Sequence, residues 1–588
     1  MNRGVGELTM FVSGRDINVE DWGSSAYNCH PYHTKIHPSI YKQLIEQNTN
    51  LGDVVLDPFS GSGIIAYCTT LLNRNGIIQD LSPYCVHIGK GYSEIVNPDI
   101  LEKSVKEILA NSSVIKDAYI LKKNKTDVSY YIWSNEYRCS TCETEFTLNP
   151  NGDGRSYSKI TCPDVDCNKL ITPEELISLK PIVIAIKEKN GKRQKNFEYQ
   201  LTPPEQSVIL NRFSDKKDNS FRKPMMGVEE GAWGEQFRSG NHDHVRYTSD
   251  FYTDRNWELL NILYQKIARI KDVDVKQAML FGFTGSLYTF SRMVRCRKKR
   301  DGRSNTPGTL YCPPIFLEQN VLKVWERRMN KVISLKKELW AHYHSNSNAG
   351  ISQLVRRGNA TKLQIDNNSV DYIVTDPPFG DSLQYAELNF IPETFLGNFT
   401  DVVNEAVVNG QRGRSQDDYL GLMQLSFQEM NRVLKTNGKA SIIFNNTDPN
   451  IWKGIKRGLL EAEFEITGVT NIDKGKGSWN QINHASSTSR FDPVIHVKPK
   501  QNNSNPNNLV EINDSKQKTI EAVRSILSGE EKKMHLSLLH SAVVRVAIMD
   551  VEIWAPPSPK KLLNRIQNEY MIEKNQSGTV FVLPNRGD

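Results

Sequence analysis

Residues 374–381 read VTDPPFGD. A strand-like run ending at Thr375 leads into an acid, two prolines and an aromatic. Proline cannot donate to a β-ladder and fixes its own φ, so Pro377 and Pro378 end strand pairing abruptly and stiffen the exit. Asp376, Pro377, Pro378 and Phe379 are therefore candidate catalytic residues. The chemistry they suit is activation of an exocyclic amine on a nucleic-acid base, a poor nucleophile because its lone pair is delocalised into the ring. Two acceptors facing its N–H bonds, the Asp376 carboxylate and the Pro377 carbonyl, draw the nitrogen towards tetrahedral geometry and localise that pair. Phe379 offers a flat face for a base swung out of its helix. The prolines keep the acceptors from relaxing, which is electrostatic preorganisation. The plain alternative is a strand-ending turn with an incidental acid.

A second constellation is DPFSGSG at 57–63. Gly61 and Gly63 let the backbone pass close to a ligand, and the following helix start offers unpaired N–H groups to an anionic group. Asp80 falls at the end of the next strand, where a carboxylate can accept from both hydroxyls of a ribose. Asp57, Pro58, Phe59, Gly61, Ser62, Gly63, Asp80 and Leu81 thus form a candidate nucleoside-cofactor site. The pattern is neither GxGxxG nor a P-loop, since no GK[ST] follows. A tight turn without a ligand is the alternative.

Cys139-x2-Cys142 and Cys162-x4-Cys167 are two close pairs about 20 residues apart, the pattern of a zinc ribbon. Four thiolates would close the coordination sphere, so such an ion would be structural. Cys29, Cys68, Cys85, Cys296 and Cys312 lack such partners, and His242 and His244 sit in a polar loop that suits solvated histidines. Arg292, Arg295, Arg297, Lys298, Lys299, Arg300 and Arg303 stand against one acid, Asp301; seven minus one is +6 of the chain's net +7. Inside an inserted segment that run suits salt-sensitive contact with DNA phosphates.

The elements that must position these groups alternate. Val54 to Leu56 reads as a strand, Ile64 to Leu72 as a helix, and Ile77 to Asp80 as a second strand, which is a βαβ opening of a parallel sheet. From about 100 to 350 the alternation is lost, with a hairpin expected at Asn190-Gly191. It resumes in NATKLQIDNNSVDYIVTDPPF, which reads as a third and fourth strand. A helix, a turn at Asn437-Gly438 and a fifth strand follow, then two last strands in 459–499. After an Asn-rich linker (501–509), helices near 516–527 and 534–549, a helix start at 558–561 and a hairpin-like end make a tail. That tail is compatible with a winged helix, a partner-binding role or a packing role.

The 588 residues suit two to four domains, and 38% apolar with 24% charged residues is ordinary for a soluble protein. No run of about 18 apolar residues and no signal-like start is found, so a cytoplasmic chain without membrane contact is expected.

DPFSGSG together with DPPF resembles the amino-methyltransferases that use S-adenosylmethionine and modify DNA bases. HPYHTKIHPSIYKQLI (30–45) is similar to the family's first motif, near the methionine end of the cofactor, which implies a contact by Lys35. GNATKLQIDNNSVDYIVTDPPF implies contacts by Asn359 and Ala360 near the cofactor adenine, although the family usually has an acid where Asn359 stands. Glycine motif first, long insert, then DPPF is the alpha arrangement of DNA adenine methylases. GTLYCPPIFLEQNVLKVWERR (308–328) and QYAELNF (384–390) add a likeness to adenine-specific methylases carrying a zinc ribbon. The resemblance implies an α/β, Rossmann-like class I methyltransferase core in two parts, 1–100 and 351–500. Between them lies an insert for target recognition (101–350) with the zinc ribbon at about 136–170, and a small, mostly helical accessory domain follows at 510–588. It implies S-adenosylmethionine and zinc as ligands, duplex DNA as substrate, adenine N6 as target, and a restriction or phage-defence setting with an endonuclease or defence-system partner. Methylation of cytosine N4, methylation of guanine N2 in tRNA, and an inactive DNA-binding module are the other readings.

Overall fold

The computed structural model describes residues 17–19, 25–121, 126–148, 160–172, 175–188, 195–211, 221–224, 245–296, 304–305, 310–345, 350–473, 491–501, 509–528, 534–574 and 580–583. Eight strands make the central sheet: β1 (Ile17–Asn18), β2 (Val54–Asp57), β3 (Asn75–Asp80), β4 (Gln353–Arg357), β5 (Val370–Thr375), β6 (Leu434–Ile443), β7 (Phe464–Asp473) and β8 (Phe491–Pro499). Their spatial order is β1-β7-β8-β6-β5-β2-β3-β4. All neighbours run parallel except β8, which is antiparallel to β6 and β7. The mixed α/β arrangement fits a methyltransferase fold.

Two local expectations are corrected. The third strand lies upstream of the expected segment, at β4, whose Leu354 and Val355 pair with Ile77 and Ile78 of β3. Asn437 and Gly438 fall within the span of β6 rather than before it: Leu434 pairs with Val370 and Lys439 with Tyr372, so the turn signal appears as extra residues looped out of the ladder between those pairs.

Helices cover the sheet. α1 (Pro38–Asn48) starts at His37, whose side chain accepts from Ser39 N, and buries Ile40, Tyr41, Leu44 and Ile45. α2 (Ile64–Leu71) buries Ile64 to Thr69 without a polar face, as expected of a helix enclosed on all sides. α3 (Pro83–Ser93) is capped by Ser82, with Pro83 in its first turn. α4 (Val321–Ser345) belongs to the insert. α5 (Tyr385–Leu396) follows the DPPF turn and buries Ala386 to Phe395, and α6 (Gln416–Val433) opens on a Ser415–Asp418 capping box. α7 (Pro449–Glu461) and α8 (Leu536–Met549) complete the set used below.

The insert holds an antiparallel sheet whose main path runs from Ser304–Asn305 through Val294–Arg295, Ile315–Gln319, Thr126–Arg138 and Leu176–Glu188 to Lys195–Gln200. Pairing of Glu188 with Lys195 makes the expected hairpin; Asn190 and Gly191 lie outside the described residues. The insert's helices share the core of the sheet domain: Phe281 and Trp325 belong to one buried cluster with Ile40, Ile65 and Tyr92. A Cβ on Gly91 would lie 2.2 Å from the Phe281 ring, so α3 is pressed directly onto the insert.

The tail forms a helix–strand–helix–helix–hairpin unit: Lys516–Leu527, Met534–His535, α8, Pro559–Ile566, then Met571–Lys574 with Val580–Leu583. Val523, Leu539, Trp554 and Leu562 form its own core. Its α8 nevertheless contributes Val544 and Ile548 to a cluster containing Phe464 and Ile495 of the central sheet. The Lys456 ammonium of α7 donates to the carbonyls of Ala547, Asp550 and Glu552 and pins the tail there. Among the described residues no helix is long and apolar enough to cross a membrane.

Candidate active site

β2 and β5 are adjacent parallel strands, with Val55 and Leu56 opposite Tyr372 and Ile373. Chain order reverses between them, and ligands of such sheets sit beyond the carboxyl ends at that reversal. The glycine loop therefore leaves one strand, and the DPPF turn the other, at the same edge. Pro58 to Ser62, Asp80, Leu81, Asn359, Ala360 and Asp376 line a single cleft of about 860 Å³ including its open mouth.

The loop is built for close approach. Gly61 (φ 42) and Gly63 (φ 64) both adopt the left-handed region. A Cβ on Gly63 would stand 2.5 Å from the Gly89 backbone, so α3 can lie against the loop only if position 63 has none. Asp80 fixes the loop from β3: its Oδ2 accepts from Gly61 N at 2.8 Å and its Oδ1 from Ser82 N at 2.8 Å. Burial raises the Asp80 pKa against the pull of those N–H groups. Asp57 is buried and does not line the cleft; its Oδ1 accepts from Thr375 Oγ at 2.7 Å and from Phe59 N at 3.2 Å. Burial pushes its pKa up to about 7 despite both bonds.

The DPPF turn is held from behind. Tyr419 OH donates to Pro378 O at 2.7 Å, and Asn446 Nδ2 donates to Phe379 O at 2.6 Å. Asp376 and Pro378 line the cleft. Pro377 is buried, and the Phe379 ring packs edge-on against Phe444, with centroids 5.6 Å apart. Two aromatics missed by sequence reasoning, Tyr41 and Tyr385, share the cleft with Asp376, and its charge adds to burial in raising both phenols. Tyr41 lies within HPYHTKIHPSIYKQLI and Tyr385 within QYAELNF, so the segments were singled out but not these positions.

Lys35 is not placed as expected. Its ammonium donates to the carbonyls of Ala26, Tyr27 and His30 and to Tyr92 OH, and burial lowers its pKa to about 7. With those acceptors satisfied, Lys35 fastens the segment before α1, and the cleft is lined instead by its neighbours Tyr32 and Thr34. Asn359 Oδ1 accepts from Thr361 N at 2.9 Å, which shapes the loop after β4.

Arg292 is also corrected as a phosphate contact. It is buried (4% exposed), donates to Asp250 O and lies over the Phe316 ring, while Arg295 is half-buried in a short strand. Arg297, Lys298, Lys299, Arg300 and Arg303 lie outside the described residues, as do His242 and His244.

None of the four paired cysteines lines the cleft, and the sulfurs of Cys139, Cys142, Cys162 and Cys167 all lie within 4.8 Å of one another. Cys139 and Cys167 are 3.6 Å apart, and Cys142 and Cys162 3.4 Å. Four thiolates bonded to zinc at about 2.3 Å would sit about 3.8 Å apart in a tetrahedron. The donor set and its spacing fit that ion.

Residues 15–91 match the DNA methylase family model. That match spans the glycine loop and Asp80 and stops well before the DPPF turn. The chain is also similar to the type II methyltransferase M.HpaI of Haemophilus parainfluenzae, at 33% identity over 98 residues. This similarity covers 16% of the chain and 31% of that relative, so the chain spans about a third of the protein it matches. A segment that matches DNA methylases therefore holds the first strands and the glycine loop of the described fold.

Proposed function

We propose that this protein transfers a methyl group from S-adenosylmethionine to the N6 amino group of adenine in duplex DNA. The observation that carries the reading is the meeting of the glycine loop and Asp376 in one cleft, beside a segment matching DNA methylases. Asp80 and Leu81 would hold the nucleoside of the cofactor, Asp80 accepting from the ribose and Gly61 allowing the chain to pass close. When bound, the cofactor supplies an electrophilic methyl on a sulfonium. Asp376 and the Pro377 carbonyl accept from the two amine hydrogens of the target and raise the electron density on its nitrogen. Stiff prolines and the bonds from Tyr419 and Asn446 keep that geometry before the base arrives.

An aspartate leading the DPPF turn favours adenine over cytosine. The same acceptors could serve cytosine N4, so the product base decides between them. Incubating the chain with labelled S-adenosylmethionine and DNA, then digesting to nucleosides, is expected to yield N6-methyladenine. Asp376→Ala is expected to abolish labelling while cofactor binding stays within about threefold. Full activity in that variant would refute the assignment, and label in N4-methylcytosine or only in tRNA would redirect it.

The basic run from Arg295 to Arg303 is assigned to DNA phosphates, and the four-cysteine cluster to a structural zinc. Likeness to a type II methyltransferase supports a restriction or defence setting with an endonuclease partner.

A further inference from the structure

Behind Asp80 the cleft wall is tied to the target side of the site by one buried acid. Glu393 (0% exposed) sits on α5, the helix that follows the DPPF turn. Its Oε1 accepts from Ser82 Oγ at 2.6 Å and Thr400 Oγ at 2.6 Å, and its Oε2 accepts from Thr400 N at 2.8 Å. The direction of the serine bond is fixed by its other partners. Ser82 Oγ receives Tyr84 N, Cys85 N and Asn389 Nδ2, so its own hydrogen is directed to Glu393. Ser82 N in turn donates to Asp80 Oδ1. A continuous chain of bonds thus runs from α5 through Ser82 to the carboxylate facing the cleft. A second strut is parallel to it: Arg357 of β4 donates to Leu81 O and to Phe399 O. Residues 81–82 and 399–400 are therefore clamped together at two points, and Leu81, Ser82, Asn389 and Thr400 all line the cleft.

The geometry points to Glu393 as a positioning residue for the nucleoside half of the site, lent by the helix that carries the target-binding turn. The inference rests on the methyltransferase reading and adds to it: the base side of the active site builds the wall on which the cofactor's ribose rests.

Glu393→Gln tests it on the full chain. The amide keeps the volume but offers one acceptor oxygen: Thr400 N, a fixed donor, holds that oxygen at the Oε2 position, so the amide NH2 falls where Oε1 received both hydroxyls and the Ser82 bond is lost. The dissociation constant for S-adenosylhomocysteine, read by titration calorimetry, is expected to rise about tenfold, with a matching rise in KM for S-adenosylmethionine. KM for DNA and kcat at saturating cofactor are expected to stay within twofold, a split that general loosening of the fold would not produce. Adding Ser82→Ala to Glu393→Gln is expected to weaken cofactor binding no further. If Glu393→Gln does not fold, Ser82→Ala alone carries the test with the same tenfold expectation. Wild-type cofactor affinity in a folded variant, or equal losses in cofactor KM, DNA KM and kcat, would overturn the inference. A wild-type chain that takes up no S-adenosylhomocysteine would instead sink the methyltransferase reading itself.

Discussion

The Thr375 hydroxyl donates to Asp57 Oδ1 at 2.7 Å, joining the ends of two strands 318 residues apart in the chain. The bond exists because β2 and β5 are neighbours, and it locks the glycine loop to the DPPF turn at their common root. Burial nevertheless dominates and pushes Asp57 up to about 7. An unfolded aspartate titrates near 3.9, so between about pH 4 and 7 the folded state holds a proton that the unfolded state has lost. Stability from this group is complete below about pH 4, falls as pH rises towards 7, and then levels. Glu393, also raised to about 7 by burial, adds a dependence of the same sign. Asp57→Asn keeps an acceptor for Thr375 but has no proton to lose. The stability difference between the variant and wild type, from urea unfolding at several pH values, is expected to move in the variant's favour by roughly 4 kcal/mol across that window. A difference that is flat with pH would show Asp57 to be ionised throughout.

Two glycines with similar backbone angles separate close packing from strain. Gly63 and Gly52 both have positive φ, 64 and 81, but a Cβ at 63 meets the Gly89 backbone at 2.5 Å while one at 52 meets nothing within 4 Å. Gly52→Ala is expected to cost about 1 kcal/mol, the ordinary penalty of a left-handed alanine. Gly63→Ala must also push α3 off the loop, and is expected to cost about 3 kcal/mol or more and to weaken S-adenosylhomocysteine binding. Equal melting-temperature losses for the two would show that α3 does not depend on the missing Cβ.

The sheet was legible wherever periodicity and a glycine turn agreed locally, as from Val54 to Asp80. It was not where a local signal competed with pairing. Asn437-Gly438 reads as a turn between elements, but one strand runs from Leu434 to Ile443, and the turn is taken up as extra residues between the Leu434–Val370 and Lys439–Tyr372 pairs. In the site, residues with a distinctive pattern, Gly61, Asp80 and Asp376, were readable, and the structure brings them to one cleft. Tyr41 and Glu393 were not, because an apolar-face aromatic and a helical acid look alike whether they face a core or a cleft. Lys35 shows the converse: a lysine beside a motif reads as a ligand contact until the carbonyls of Ala26, Tyr27 and His30 are found around it.

Arg292 offers a test of how the basic run divides. Its guanidinium is buried against Phe316 and bonded to Asp250 O, and desolvation lowers its pKa. Arg292→Gln is therefore expected to destabilise the fold by about 2 kcal/mol while the slope of log affinity for DNA against log salt stays unchanged. Replacing Lys298 and Lys299 with glutamine is expected to do the reverse, lowering that slope by nearly two while unfolding is unaffected. A drop in slope for Arg292→Gln would place it on the phosphates after all.

Zinc content can be checked without reference to activity. The four sulfurs lie within 4.8 Å of one another and draw together the strand Thr126–Arg138 and the loop 160–170. Thiolates that close together repel unless a cation sits among them, and a closed four-sulfur site contributes directly to folding. Purified chain is expected to carry one zinc per molecule, and Cys142→Ser together with Cys167→Ser to carry none. The cluster does not line the cleft and has its own small core of Tyr137, Cys139, Cys162 and Ile171. Loss of zinc is therefore expected to expose 136–176 to proteolysis while S-adenosylhomocysteine binds within twofold of wild type. Substoichiometric zinc in wild type with a protease-resistant ribbon would mean that the thiols pack without an ion, and loss of cofactor binding with the zinc would mean that the ribbon supports the cleft.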